Sequence, residues 1–90
     1  MGAACAGSVL LVDDDSSIRR LLSMHLEKAG YKVLHAEDGL QAVGVLRNRL
    51  PKVVVSDLDM PRMAGIEFIG VVRRRFPTMP IIALSGSLPS

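Results

Sequence analysis

The sequence predicts an α/β fold: an open parallel β-sheet with helices on both faces. Short apolar runs rich in β-branched residues alternate along the chain with segments whose apolar residues recur at helical spacing. The short runs are apolar throughout instead of alternating with polar residues, which is typical of strands buried on both faces. Alternation of this kind favours parallel strands joined by right-handed helical crossovers.

The chain begins its regular structure with a strand and a helix. Residues 9–12 are continuously apolar and are followed by three aspartates, so we expect a buried strand with an acidic end. Ser16 or Ser17 is expected to cap the next helix, and Gly30 to end it. The apolar stripe predicted for this helix consists of Ile18, Leu21, Leu22 and Leu26.

A second strand and helix follow. Residues 31–36 predict a weaker strand, and residues 39–50 predict a helix that stops before Pro51, because the residue before a proline disfavours the helical conformation. The stripe expected to face the core consists of Leu40, Val43, Leu46 and Leu50.

The last two predicted strands flank a third helix. Residues 53–56 form the clearest strand, and Asp57 follows it directly. Residues 58–64 are expected to form a loop, residues 65–76 a helix, and residues 81–84 a fourth buried strand. The inner stripe predicted for the third helix consists of Ile66, Ile69, Val72 and Phe76.

Length and charge restrict the classes of function. The 90 residues suffice for one small domain, and a net charge of +2 with three aromatic residues gives little support for direct nucleic-acid binding. A single cysteine, Cys5, excludes an internal disulfide framework. The start of the chain lacks the features of a signal peptide, and no apolar run is long enough to span a membrane. We expect a flexible segment over residues 1–7, a domain over residues 8–90, and a cytoplasmic location.

Chemistry is expected at the carboxyl ends of the strands, where ligands bind in sheets of this class. This rule brings Asp13, Asp14, Asp57 and Ser85 to one edge of the sheet. Carboxylates so close raise one another's pKa values or need a cation, and Mg²⁺ prefers such oxygen ligands. The simpler alternative, in which an acidic run caps the next helix, applies mainly to Asp15.

Asp57 has the properties of a phosphoryl acceptor. A carboxylate can act as a nucleophile, and phosphoryl transfer mainly needs positioning and charge neutralisation. The apolar strand before Asp57 holds its backbone while the side chain faces the crevice. Ser85 can donate a hydrogen bond to a phosphoryl oxygen, although a serine at this position can also simply form a turn.

The segments VLLVDDD, VVVSDLDMPRMAG and IIALSGS together resemble the three motif blocks of response-regulator receiver domains. The resemblance implies a flavodoxin-like sheet with strand order 2-1-3-4-5. It implies that Asp57 is the phosphoacceptor and that Ser85 is the switch hydroxyl. It further implies that Asp14 and Asp57 bind Mg²⁺ through their side chains, Asp59 through its backbone carbonyl, and Asp13 indirectly through water.

The same resemblance implies a function. The chain would be a phosphoacceptor module of a two-component phosphorelay, receiving its phosphoryl group from a histidine kinase or a histidine phosphotransfer protein. Any catalysis would be limited to its own phosphorylation and dephosphorylation, so it would not be an enzyme in the metabolic sense. We also hypothesise that the acidic side chain of Asp59 alters the lifetime of the phosphoryl group.

The sequence departs from the family after the fourth predicted strand. Receiver domains continue with a helix, a strand that ends in a lysine, and a further helix, whereas this sequence ends at Ser90. Lys52 cannot replace that lysine, because it precedes the third strand and lies roughly 16 Å from Asp57 at about 3.3 Å per residue. We therefore expect a fragment, a chain completed by a partner, or a homodimer, with the partner at the exposed fourth strand.

The sequence leaves two alternative functions open. The pair Asp57 and Asp59 after a buried strand resembles the nucleophile and acid of haloacid-dehalogenase-type phosphatases. Against it, Met60 and Pro61 follow where that family prefers Thr or Val. The second alternative is an interaction domain that is not phosphorylated. The missing lysine favours it, while Asp14, Asp57 and Ser85 argue against it.

Overall fold

The structure, a computed structural model, describes residues 7–58 and 65–84 of the chain. Within them, four parallel strands form one sheet in the order β2-β1-β3-β4. This confirms the predicted α/β fold, and the order matches the first four strands of the expected arrangement. The elements are β1 Ser8–Val12, α1 Ser16–Lys28, β2 Lys32–Ala36, α2 Gly39–Asn48, β3 Val53–Asp57, α3 Gly65–Arg75 and β4 Ile81–Leu84.

The main core lies between one face of the sheet and helices α2 and α3. Leu10 on β1 is paired in register with Val54 on β3, and both are fully buried. Because the two strands are parallel and in register, these residues face the same side of the sheet. The rest of the buried cluster consists of Val12, Ala36, Ala42, Leu46, Phe68 and Val72.

The opposite face of the sheet is covered only in part. Helix α1 packs there against β1 and β2. Farther along the same face, Ile82 on β4 is 52% exposed. The apolar stripe predicted for α1 is wrong for two of its four residues, because Ile18 and Leu21 are 46% and 55% exposed. Within the described residues, no second helix packs beside α1 to bury them.

The predicted inner faces of α2 and α3 need correction. In α2 the buried side chains are Ala42 and Leu46, whereas Leu40 is exposed, as is Leu50 beyond the helix end. In α3, Phe68 and Val72 are buried and Ile66 is exposed. In each helix an i, i+4 pair defines the buried face. Ile66 lies two positions before Phe68, which places it on the other side of the helix.

The structure decides between the expectations for the start of α1 and confirms the one for its end. The prediction of Ser16 or Ser17 as the cap is wrong, and the capping role considered for Asp15 is confirmed. The carboxylate of Asp15 accepts hydrogen bonds from the amides of Ser17 and Ile18 at 2.9 and 3.2 Å. Gly30 ends the helix as expected, with φ of 98°. The amide of Gly30 donates to Glu27 O, and that of the following tyrosine to Leu26 O, both at 3.0 Å. This is the hydrogen-bond pattern of a Schellman motif.

No helix in the described part of the chain has the length and apolar character needed to cross a membrane.

Candidate metal centre

The register of β1 and β3 brings two aspartates together at one edge of the sheet. Val12 pairs with Ser56, so the residues that come next, Asp13 and Asp57, are neighbours. The amide of Asp13 donates to Ala36 O at 3.1 Å, which extends the β1–β2 pairing by one residue. Regular sheet hydrogen bonding therefore fixes the backbone at this position.

Three carboxylates converge at this edge. One carboxylate oxygen each from Asp13, Asp14 and Asp57 can be chosen so that all three lie within 4.8 Å of one another. Asp13 is buried, Asp57 is half-buried and Asp14 is exposed. The cluster is therefore anchored on the protein side and open to solvent on the other, which leaves room for a ligand. We refer to these three residues as the acidic cluster.

The electrostatics of the acidic cluster favour a cation. Burial raises the pKa of the Asp13 carboxyl, and the negative charges of Asp57, Asp14 and Asp15 raise it further. A hydrogen bond from the amide of Asp15 to Asp13 Oδ1, at 2.9 Å, acts in the opposite direction but does not cancel the shift. The folded chain thus binds the proton of Asp13 more tightly than an ordinary aspartate does, and a positive charge nearby would stabilise the carboxylate.

The acidic cluster fits Mg²⁺ in its chemistry. Magnesium is a hard cation that takes oxygen ligands, usually one or two carboxylates together with several waters. Asp14 and Asp57 offer the more accessible carboxylates, whereas Asp13 is buried. A bound Mg²⁺ would also relieve the repulsion among the three negative charges.

A nearby arginine contacts the backbone of the acidic cluster, which sequence analysis missed. Arg19 Nη1 donates a hydrogen bond to the carbonyl oxygen of Asp13 at 2.6 Å. The hydrogen bond joins residues six positions apart and connects α1 to the end of β1 across the turn between them. A separation of six positions does not predict this hydrogen bond from the sequence, because residues that are neighbours on a helix lie three or four positions apart.

The described residues contain only part of the predicted site. Asp13, Asp14 and Asp57 are brought together, as expected from the strand ends. Asp59 and Ser85 lie outside the described residues, as do Met60 and Pro61, which follow Asp59. Their predicted roles stay predictions.

Two other charged residues, Lys52 and Asp38, do not belong to the acidic cluster. The amide of Lys52 donates to Ser8 O at 2.7 Å, which places this residue at the opposite end of β3 from Asp57. Asp38 is buried at the start of α2, where its carboxylate accepts from the amide of Gln41 at 2.9 Å and so caps that helix.

Comparison with known proteins gives a consistent result. The model of the response regulator receiver domain family matches residues 9–89. The transcriptional regulatory protein GlrR of Escherichia coli is 39% identical over 83 residues, which is 90% of this chain but 19% of that protein. The chain therefore spans about a fifth of the length of this curated relative.

Solved structures agree with the family match. The chemotaxis protein CheY4 of Vibrio cholerae superimposes with a TM-score of 0.88 at 39% identity, covering 96% of this chain and 72% of that one. The response regulator TrrA of Thermotoga maritima, solved in complex with Mg²⁺ and BeF, gives 0.85 at 32% identity, covering 89% and 70%. Sheet order, family match and structural neighbours all lead to one assignment: the chain belongs to the response-regulator receiver domain family.

Proposed function

We propose that this chain accepts a phosphoryl group on Asp57 and that Mg²⁺ bound at the acidic cluster supports the transfer. One observation carries the proposal. Asp57 is the last residue of β3, half-buried, with carboxylates of Asp13 and Asp14 close enough to share one cation with it. A nucleophile needs such a combination of a fixed backbone and an accessible side chain.

The transfer itself would be a displacement at phosphorus. A carboxylate oxygen of Asp57 attacks the phosphorus of a phosphohistidine, an oxygen–phosphorus bond forms, the phosphorus–nitrogen bond breaks, and the departing imidazole takes up a proton. When bound, Mg²⁺ neutralises negative charge on the transferring group. The protein contributes a rigid platform, because Val54 and Ser56 on β3 are fully buried and the amide of Leu58 donates to Leu84 O at 2.9 Å.

The remaining roles follow the family resemblance. In this proposal Asp14 binds Mg²⁺ directly, Asp13 acts through a water molecule, and Asp59 contributes its backbone carbonyl. Ser85 donates its hydroxyl to the phosphoryl group. Asp13 suits an indirect role, because it is buried whereas Asp14 is exposed.

The partners are proposed from the same resemblance. The phosphoryl donor would be a histidine kinase or a histidine phosphotransfer protein, and the reaction would take place in the cytoplasm. As a receiver domain the chain is a signalling module and not a metabolic enzyme. GlrR is named a transcriptional regulator, but this chain covers a small part of it, so we propose no direct nucleic-acid contact for the described domain.

The edge of the sheet offers a further contact. Within the described residues β4 pairs with β3 alone and exposes Ile82. Unpaired apolar edges favour pairing with additional polypeptide. We therefore also propose that β4 is covered by additional polypeptide, either from a complementing chain or from a second copy in a homodimer.

The proposed acceptor site can be tested with beryllofluoride, which mimics an acyl phosphate, by titration calorimetry with and without Mg²⁺. We expect saturable binding that requires Mg²⁺ and is lost in Asp57→Asn. Asp15→Asn is the matched control, because it removes a carboxylate from the same turn while asparagine still caps the helix.

Two results, one from this titration and one from a separate hydrolysis assay, would count against the proposal. Equal beryllofluoride binding by folded Asp57→Asn would exclude Asp57 as the acceptor. Steady hydrolysis of a generic phosphate ester would instead favour the phosphatase alternative based on Asp57 and Asp59. Molecular mass, measured on the same samples, reports whether a second copy is present.

A further inference from the structure

Arg19 occupies an unexpected place beside the acidic cluster. Its guanidinium Nη1 donates to the carbonyl oxygen of Asp13 at 2.6 Å. The side chain is half-buried, whereas the adjacent Arg20 is exposed. The amide of Arg19 also donates to Asp15 O at 3.0 Å, which forms the first turn of α1. Arg19 thus connects the helix to the end of β1 through both its backbone and its side chain.

We propose that Arg19 is a positioning residue for the metal centre. The carbonyl of Asp13 belongs to the peptide unit that joins Asp13 to Asp14, and peptide units are planar. A charge-assisted hydrogen bond to this oxygen therefore fixes the orientation of the unit. The two side chains that leave it on either side are held toward Asp57. The inference rests on the Mg²⁺ site of the proposed function and adds the residue that organises it.

The direction in which Mg²⁺ affinity changes when Arg19 is removed distinguishes a positioning role from a purely electrostatic one. A cation beside a cation site repels Mg²⁺, so loss of the positive charge by itself would tighten Mg²⁺ binding. Loss of a group that holds metal ligands in place weakens binding, typically by a factor of 10 to 100. If Arg19 acts by positioning, its removal must therefore weaken binding despite the favourable change in charge.

The test compares Mg²⁺ dissociation constants, measured by titration calorimetry, for four chains. Arg19→Met keeps an apolar stem but loses charge and donor, and we expect about tenfold weaker binding. Arg19→Lys retains a charged donor, and we expect it to recover most of the loss. Arg20→Met is the matched control: it removes the same charge from the neighbouring exposed position, so its binding should equal that of the wild type or be slightly tighter. Unchanged or tighter binding by folded Arg19→Met would overturn the proposal.

A second measurement needs no substitution. If Arg19 is held by Asp13, rotation of its guanidinium is restricted, and its Nη groups give separate NMR signals at low temperature, whereas those of Arg20 average. Averaged signals for both arginines would contradict the proposal. The two proposals can also fail separately. A wild-type chain that binds no Mg²⁺ overturns both, while normal binding by wild type and Arg19→Met removes only the role of Arg19.

Discussion

Replacing Asp13 with Asn separates two opposite effects of this carboxylate on stability. Without metal, the negative charge is buried beside two others and destabilises the folded chain. With Mg²⁺, the same charge attracts the ion. Asparagine keeps the oxygen that accepts from the amide of Asp15, so the substitution changes charge with little change in shape or hydrogen bonding.

The size of the effect follows from the geometry of the acidic cluster. Two unit charges 4.8 Å apart repel by about 0.9 kcal/mol in water and by about 3.5 kcal/mol at an effective dielectric constant of about 20. Asp14 is exposed and Asp57 half-buried, so solvent screens both interactions. We therefore expect Asp13→Asn to raise the free energy of unfolding by about 1 to 2 kcal/mol in chelator at neutral pH.

Acidification should reproduce part of this gain in the wild type. Because the pKa of Asp13 is raised in the folded chain, protonation of this carboxyl favours folding. The stabilising contribution is fully present below the pKa of the unfolded chain and is lost as pH rises through the raised pKa of the folded one. Asp13→Asn lacks this component, so its stability should vary less with pH in the acidic range.

Urea unfolding followed by circular dichroism tests these expectations in chelator and in Mg²⁺. If Mg²⁺ at about 10 mM binds the wild type with a dissociation constant of about 1 mM, mass action adds about 1.4 kcal/mol of stability, and Asp13→Asn should gain less. Glu27→Gln, which removes an exposed carboxylate of α1, controls for net charge. Unchanged or lower stability of Asp13→Asn in chelator would show that repulsion within the acidic cluster does not destabilise the folded chain.

Three further predictions about the fold are tested by the same urea assay. Gly30→Ala should cost about 1 kcal/mol, because alanine is strained at φ of 98°, and unchanged stability would argue against the Schellman motif. Phe68→Ala should cost about 3 to 5 kcal/mol, because it empties a fully buried site, while Ile66→Ala at an exposed position of the same helix should cost less than about 0.5 kcal/mol. Asp15→Ala should cost about 1 kcal/mol and Ser16→Ala much less, and the reverse order would restore serine as the cap.

The strands were predictable because their signal is simple. Residues 9–12 and 81–84 are continuous apolar runs, and the structure places strands there with bounds that agree to within one residue. The acidic cluster followed from them, since parallel strands end at a common edge and Asp13 and Asp57 come at those ends.

The buried faces of the helices were harder to predict, because they depend on neighbours that a sequence does not reveal. Large apolar residues such as Leu40 and Ile66 were predicted to face the core. The residues buried against the sheet are instead the small Ala42 and the aromatic Phe68. The hydrogen bond from Arg19 to Asp13 lies beyond sequence reasoning of this kind, since it depends on the angle at which α1 leaves β1.

The central claim is that Asp57 is the phosphoacceptor, and chemical mapping tests it most directly. The chain is incubated with acetyl phosphate and Mg²⁺, then reduced with borohydride, which converts an aspartyl phosphate to homoserine, and the peptides are sequenced by mass spectrometry. If Asp57 is the phosphoacceptor, homoserine is expected at position 57, dependent on Mg²⁺, and none at Asp13 or Asp14. Modification at either of those residues, or none at Asp57 in a folded chain, would contradict this claim.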